Sequence, residues 1–200
     1  MILNRIVLAS ASPRRYELLT SLGLEVEIRP SGYGEPDDPR LTPLELAVRH
    51  ARNKAEHVMA ALTRDEVVVA ADTVVDLDGV ALNKPADAQD AVRMLQALSG
   101  REHVVHTAYA LLLPGRPLVE DASSTRVRFY RLSRQEIDEY VATGEPMDKA
   151  GAYGIQGRAA SLVEGIDGDF YTVMGFPLGR FVRALRNYGF GMPITKKRPE

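Results

Sequence analysis

The sequence contains no cysteine. Disulfides, thiolate metal ligands and cysteine nucleophiles are therefore excluded together. Histidine is sparse, and the spacing of His50, His57, His103 and His106 follows no metal-ligand pattern. His50 and His57 lie one heptad apart on what reads as a polar helix face, which predicts two solvated side chains. No apolar stretch approaches the ~20 residues that a membrane span requires. The opening MILNRIVLAS runs straight into Ser-Pro-Arg-Arg and lacks the apolar core of a signal peptide. A cytoplasmic protein with no membrane attachment is expected. A large excess of either charge is missing as well. With a formal net charge of −2, the chain has no overall basic field to hold nucleic acid, so any basic residue that binds an anion must act locally. Neither a dinucleotide fingerprint nor a Walker-type phosphate loop occurs.

What is present suits a folded domain. Two hundred residues, 45% hydrophobic and 26% charged, allow a sizeable core, expected to span 1–190 with 191–200 as a loose tail. Apolar runs predict strands at 6–9, 25–29 and 67–71, with longer ones at 103–113 and 119–132 and a short one at 161–166. Asp78-Gly79 reads as a turn between two short strands. Thr42-Pro43-Leu44-Glu45 is a capping box that opens a helix to about 62, its apolar stripe running from Leu44 and Ala47 through Ala51, Ala55 and Val58. Lys54 lies at the edge of that stripe, from where it can snorkel to water or enter a cleft. Asp87 starts a helix carrying Ala91, Met94, Leu95 and Leu98, and Ser133 to Glu136 is a second capping box. A last helix is expected at 178–188. Strands alternating with helices, some joined as hairpins, predict an α/β fold with a mixed sheet.

The chemistry concentrates in a few segments. LASASPRRYELL, residues 8–19, passes from a strand to a helix, with Pro13 suited to the first helical turn. Free backbone N–H groups there, two hydroxyls and the guanidinium groups of Arg14 and Arg15 suit an anion. Two arginines in a first turn oppose the helix dipole unless something negative faces them. Ser12 also reads as a plain N-cap. Asp72 follows five apolar residues, which predicts a place at the C-terminal end of a central strand, where open α/β sheets bind ligands. Taken alone, Asp72 is as readily the cap of a turn. Lys54 and Lys84 offer it cationic partners, and Glu35 a second carboxylate. Such a carboxylate can ligate a divalent cation or activate water. Pro85 holds Lys84 extended. The Gly-rich stretch at 150–157 allows close backbone approach, and its Gln156 amide can pair with the edge of a base. Asp76 and Asp78 read as turn residues, and Asp148 and Lys149 as a charged loop.

Together these segments resemble the Maf-type nucleoside triphosphate pyrophosphatases. The resemblance rests on LASASPRRYELL, NKA at 53–55, AADTVV at 70–75, NKP at 83–85, LSG at 98–100, DKAGAYGIQG at 148–157 and GDFYTVMGFPL at 168–178. It implies a twisted mixed sheet flanked by helices, in two lobes around a central cleft, as in the related inosine triphosphate pyrophosphatases. It also implies cleavage of the α–β phosphoanhydride of a nucleoside triphosphate with Mg²⁺, Mn²⁺ or Co²⁺, and a homodimer. By matching positions, Asp72 resembles the catalytic carboxylate, and Glu35 a second acidic residue at the metal. Ser10, Arg14, Arg15, Lys54 and Lys84 resemble the phosphate-binding set. Ala71-Asp72-Thr73 and Gly154-Ile155-Gln156-Gly157 resemble the branch active on dTTP and UTP, with Arg14, Thr73 and Gln156 as candidate specificity residues. Met174 and Phe176 stand where the family pattern has valine and leucine, a difference expected to touch packing more than chemistry. The resemblance leaves two alternatives: a regulator of septum formation that acts by binding a partner, or a pyrophosphatase of another base specificity.

Overall fold

Three helix starts follow directly from local chemistry. Thr42 and Ser133 each accept a hydrogen bond from the backbone N–H three residues on, and Glu45 and Glu136 reach back to complete both capping boxes. The Asp87 carboxylate caps a third helix through the Asp90 N–H. The computed structural model describes residues 1–62 and 66–193. In chain order the elements are β1 (Arg5–Leu8), α1 (Pro13–Ser21), β2 (Glu25–Ile28), α2 (Pro43–Ala60), β3 (Val68–Leu77), β4 (Val80–Leu82) and α3 (Ala88–Leu98). There follow β5 (Glu102–Leu112), β6 (Val119–Phe129), α4 (Arg134–Ala142), β7 (Val163–Asp167), α5 (Phe170–Met174) and α6 (Leu178–Asn187). No helix among the described residues is long and apolar enough to cross a membrane.

The strands form one mixed sheet in the order β2-β1-β3-β5-β6-β7, with β4 beside β3. β1 runs parallel to β2 and β3, and the remaining pairs are antiparallel. One irregularity positions the site. β5 accompanies β3 from Val68 to Asp76. On the other edge, β1 reaches only Val69 and β4 begins at Val75. Between them no described strand pairs with β3, so the sheet is split there, and the cleft opens at the split. Asp72 therefore lies in the middle of a ten-residue strand, not at its end as expected, and that strand is not short. The β-branched run Thr73-Val74-Val75 carries the strand past the aspartate. What ends beside Asp72 is the neighbouring strand β1.

Alternation along β3 sorts its side chains to two faces. Val68, Ala70 and Val74 pack under α2 with Ala47, Ala51, Ala55 and Val58. On the opposite face, Val69 and Ala71 join a core built with α1 and α6, and Val75 and Leu77 join another built with α3 and α4. In the first of these, Phe176 and Phe181 lie edge-on with centroids 5.1 Å apart, and Phe181 meets Tyr109 at 5.7 Å. Such pairs add about 1 kcal/mol each beyond area burial, and they pin the α5–α6 junction to the sheet. Met174 and Phe176 are both buried in this core, and Met174 also lines the cleft.

Several expectations need correction. His50 is buried, although His57 is exposed as predicted. Leu46 joins the buried stripe of α2 that the pattern reading omitted, and Leu44 is only half-buried. The stretch read as a Gly-rich loop contains a 3₁₀ turn at Ala150–Ala152 and is flanked by others at Glu145–Asp148 and Gly157–Leu162, and α5 was not anticipated. Gly191 bonds to Met1 and Leu3 through the backbone, so the stretch expected to be loose begins tied down. Its remainder, 194–200, lies outside the described residues.

Candidate active site

All nine residues singled out in the sequence line one cavity of about 650 Å³: Ser10, Arg14, Arg15, Glu35, Lys54, Asp72, Thr73, Lys84 and Gln156. Each arrives from a different cause. Ser10 to Arg15 follow the end of β1, and Pro13 opens α1 as predicted. Ser12 occupies the N-cap position, yet its side chain makes no capping bond. The backbone N–H of Ser12 instead donates to Ser10 Oγ at 3.2 Å.

On the α2 face, Lys54 and Asp72 are both buried and meet at 2.6 Å. Lys54 Nζ also reaches Glu35 Oε1 at 2.9 Å. Burial alone would raise the Glu35 carboxyl, but Lys54 outweighs it, with help from Lys84, and holds it below the ordinary carboxylate range. Lys54 thus enters the cleft and does not snorkel outward. The loop carrying Glu35 is fixed on both sides. Arg49 donates to Asp38 Oδ2 and to the Pro36 carbonyl, each at 2.8 Å, and Asn83 donates to Asp37 Oδ1 at 2.8 Å. Asn83 thereby ties the acidic loop to the segment bearing Lys84.

On the opposite face, the Arg15 guanidinium is held by neutral oxygens. Nε donates to the Gly175 carbonyl at 2.9 Å, one terminal nitrogen to Ser10 Oγ at 3.1 Å, and the other to Thr73 Oγ1 at 3.1 Å. Burial lowers the Arg15 pKa from its ordinary value, against the opposing pull of Asp72. Arg14 points toward Asp148, 3.6 Å away, at the rim. Lys149 donates to the Glu145 carbonyl and to Asp148, each at 2.6 Å. Gly151 and Gly154 are small for a reason: a Cβ would meet Val75 at 2.9 Å or Lys149 at 2.7 Å. Gln156 is exposed at the end of this wall.

Pattern reading missed His50, Asn83 and Tyr153, which also line the cavity. His50 Nδ1 lies 3.3 Å from the Tyr33 hydroxyl, which accepts from Asn53 at 2.9 Å, so these three join the 31–41 loop to α2. The signal was available. Residues 47, 50, 51, 54, 55 and 58 fall on one helical stripe, which groups His50 with Lys54, although His57 at its edge lies only about 20° from His50 around the helix. Asp76 behaves as the turn residue it was read to be, accepting from the Gly79 N–H at 2.6 Å.

The lining is net positive: Arg14, Arg15, Lys54, Lys84 and Lys149 face Asp72, Glu35 and Asp148, in a chain whose net charge is −2. A polyanion fits such a cleft. The donors also suit a hard cation, because the Asp72 and Glu35 carboxylates are close enough to share one cation, the Lys54 ammonium. Among the described residues no cluster of three acidic or histidine side chains forms a closed cage. Mg²⁺ bound through one or two carboxylates characteristically completes its shell with substrate phosphates and water.

Comparison with known proteins places this chain in a family. The model of the family described as "Maf-like protein" matches residues 5–188. A Bordetella parapertussis protein named dTTP/UTP pyrophosphatase is 48% identical over 94% of this chain and 95% of its own length. A Geobacter metallireducens protein of the same name is 49% identical, covering 93% and 97%. Among solved structures, a HAM1 protein from Coxiella burnetii covers 92% of this chain and all of its own with a TM-score of 0.51 at 18% identity, a likeness of fold alone. With the match running from β1 through the end of α6, the chain belongs to the Maf-like family.

Proposed function

We propose that this protein hydrolyses the α–β phosphoanhydride of dTTP and UTP, giving the nucleoside monophosphate and pyrophosphate. One observation carries the reading: a net-positive cleft brings a desolvated guanidinium and a buried carboxylate–ammonium pair to adjacent positions, Thr73 and Asp72, of one strand. The names of the relatives support the same reaction and base class.

In this reading the triphosphate lies along the turn at 10–15, where Ser10, Arg15 and the N–H groups opening α1 meet its charge. Arg14 and Lys84 take the more exposed phosphate oxygens, and Gln156 meets the base edge. Asp72 and Glu35 would hold a divalent cation, which would supply neutralisation of phosphate charge and acidification of water. Asp72 directs a water toward the α-phosphorus and takes up its proton. Lys54, bonded to Asp72 before substrate arrives, keeps that carboxylate oriented. Arg15 offsets the charge that grows on the phosphates as the bond breaks. Residues 1–190 act as the catalytic unit, as a cytoplasmic homodimer whose assembly light scattering would test.

The experiment is pyrophosphate release with Mg²⁺ across dTTP, UTP, CTP, GTP, 7-methyl-GTP and ITP, beside Asp72→Asn. Turnover of dTTP and UTP above the others, lost in the variant, is the expected result. Silence across the panel with Mn²⁺ and Co²⁺ also supplied would overturn it.

A further inference from the structure

Behind the cleft wall a closed circuit of hydrogen bonds ends on Arg15. Thr107, on β5, is fully buried, and its hydroxyl lies 2.7 Å from the Thr172 carbonyl and 2.9 Å from Thr73 Oγ1. A hydroxyl has one proton, and a carbonyl can only accept. Thr107 therefore donates to Thr172, and Thr73 must donate to Thr107. With its own proton committed, Thr73 faces Arg15 as a pure acceptor. The loop closes through the backbone. The Thr172 carbonyl also accepts from the Gly175 N–H at 3.1 Å, and the Gly175 carbonyl accepts from Arg15 Nε at 2.9 Å. Gly175 has φ +109, and a Cβ there would meet Thr73 Oγ1 at 3.3 Å, so the circuit also needs this glycine.

We propose that Thr107 is a positioning residue for the reaction: by fixing the direction of the Thr73 hydroxyl and the carbonyl end of α5, it sets the Arg15 guanidinium before substrate binds. Five N–H donors belong to a guanidinium. Three are spent on Gly175, Ser10 and Thr73. One on each terminal nitrogen remains for an anion. Reversing the Thr73 hydroxyl would aim its proton at Arg15 and undo the arrangement. Thr107 touches no substrate in this scheme; it acts through Thr73 and Arg15. The catalytic part of the inference rests on the function proposed above, whereas the positioning part does not.

The test compares Thr107→Val, Thr107→Ser and Thr125→Val. Thr125 is an internal control, since it too is a buried threonine whose hydroxyl donates to a carbonyl at α5, that of Asp169 at 3.0 Å, but it stands outside the circuit. Two readouts are taken on the full chain. The first is solvent exchange of the Arg15 Nε–H by NMR, its resonance assigned by its loss in Arg15→Lys. The second is kcat and KM for dTTP. Thr107→Val is expected to speed exchange at least tenfold and to lower kcat about tenfold to a hundredfold, as misplaced catalytic groups do, with KM changing less. Thr107→Ser should restore both, and Thr125→Val should leave both near wild type. Unchanged exchange in Thr107→Val overturns the inference, as does an equal loss of kcat in Thr125→Val. If exchange responds as expected but the wild-type protein turns over no nucleotide, the positioning stands and the proposed function falls.

Discussion

Asp72 and Thr73 are neighbours on one strand, yet each faces a different solution to holding a cation in a desolvated cleft. On the α2 face, Lys54 is balanced by charge, with Asp72 and Glu35 both within hydrogen-bonding distance. On the other face, Arg15 is held by two hydroxyls and a carbonyl, none of them charged. The first arrangement is electrostatically closed, and its carboxylates become available to another cation only as they share Lys54. The second leaves a full positive charge in a poorly solvated place, ready for an incoming anion. Neutral dipoles fix orientation without cancelling charge, which is what a preorganised anion site requires.

The largest test of this contrast is chemical. Asp72→Asn removes a charge but keeps the side chain's shape, and Glu35 remains to pair with Lys54. Turnover of dTTP should fall by about 10³-fold or more, with the melting temperature little changed; retained turnover would remove Asp72 from its assigned role. Stability separates the two cations next. Lys54→Met leaves two carboxylates facing each other and should destabilise the fold by about 3 kcal/mol, the cost of breaking a buried pair. Arg15→Met removes a charge that no carboxylate hydrogen-bonds and strands only neutral acceptors, so about 1 kcal/mol is expected. Urea denaturation of both variants checks the order, and equal losses would erase the distinction.

The face that carries Thr73 also relies on a neutral histidine. His103 is buried, its Nε2 lies 2.7 Å from the Tyr153 hydroxyl at the cleft wall, and burial lowers its pKa to about 4. The unfolded chain binds a proton near 6.5 and the folded one only near 4. Between those values the unfolded state holds more protons, so stability is complete above 6.5 and falls as the pH drops toward 4. His103→Gln should flatten that dependence by up to about 1.4 kcal/mol per pH unit, read from melts of the two proteins side by side. The smallest effect is expected at Gly175. Gly175→Ala imposes a strained φ and crowds Thr73 Oγ1, for about 1 kcal/mol of stability, with a fall in kcat if Arg15 shifts. An equal substitution at Gly34, where a Cβ meets nothing within 4 Å, gives the baseline.

Much of the fold was legible because local chemistry specifies it. Capping boxes at Thr42 and Ser133, the Asp87 cap and the apolar spacing of α3 each depend on residues a few positions apart. The α/β class followed from alternation of periods, and Lys54, Asp72 and the 10–15 turn were found as candidates for the same reason. The misreadings have physical causes. Asp72 looked like the end of a strand because a buried carboxylate interrupts an apolar run, although β5 still pairs with it on one edge. His50 looked solvated because its heptad partner His57 is. Yet the Tyr33 hydroxyl, itself held by Asn53, supplies the polar contact that lets an imidazole lie in a core stripe.

The sequence by itself determined most of the longer helices and strands, where the capped helices start, which residue types could meet a polyanion, and the family to which they belong. Tertiary structure alone decided where the sheet splits, because that depends on how far β1 and β4 extend along β3, two strands about seventy residues apart in the chain. It also decided that Lys54 is charge-balanced while Arg15 is not, since the partners of each come from distant segments. Spacing can place a cation near a cleft; only packing determines whether that cation is already neutralised when the ligand arrives.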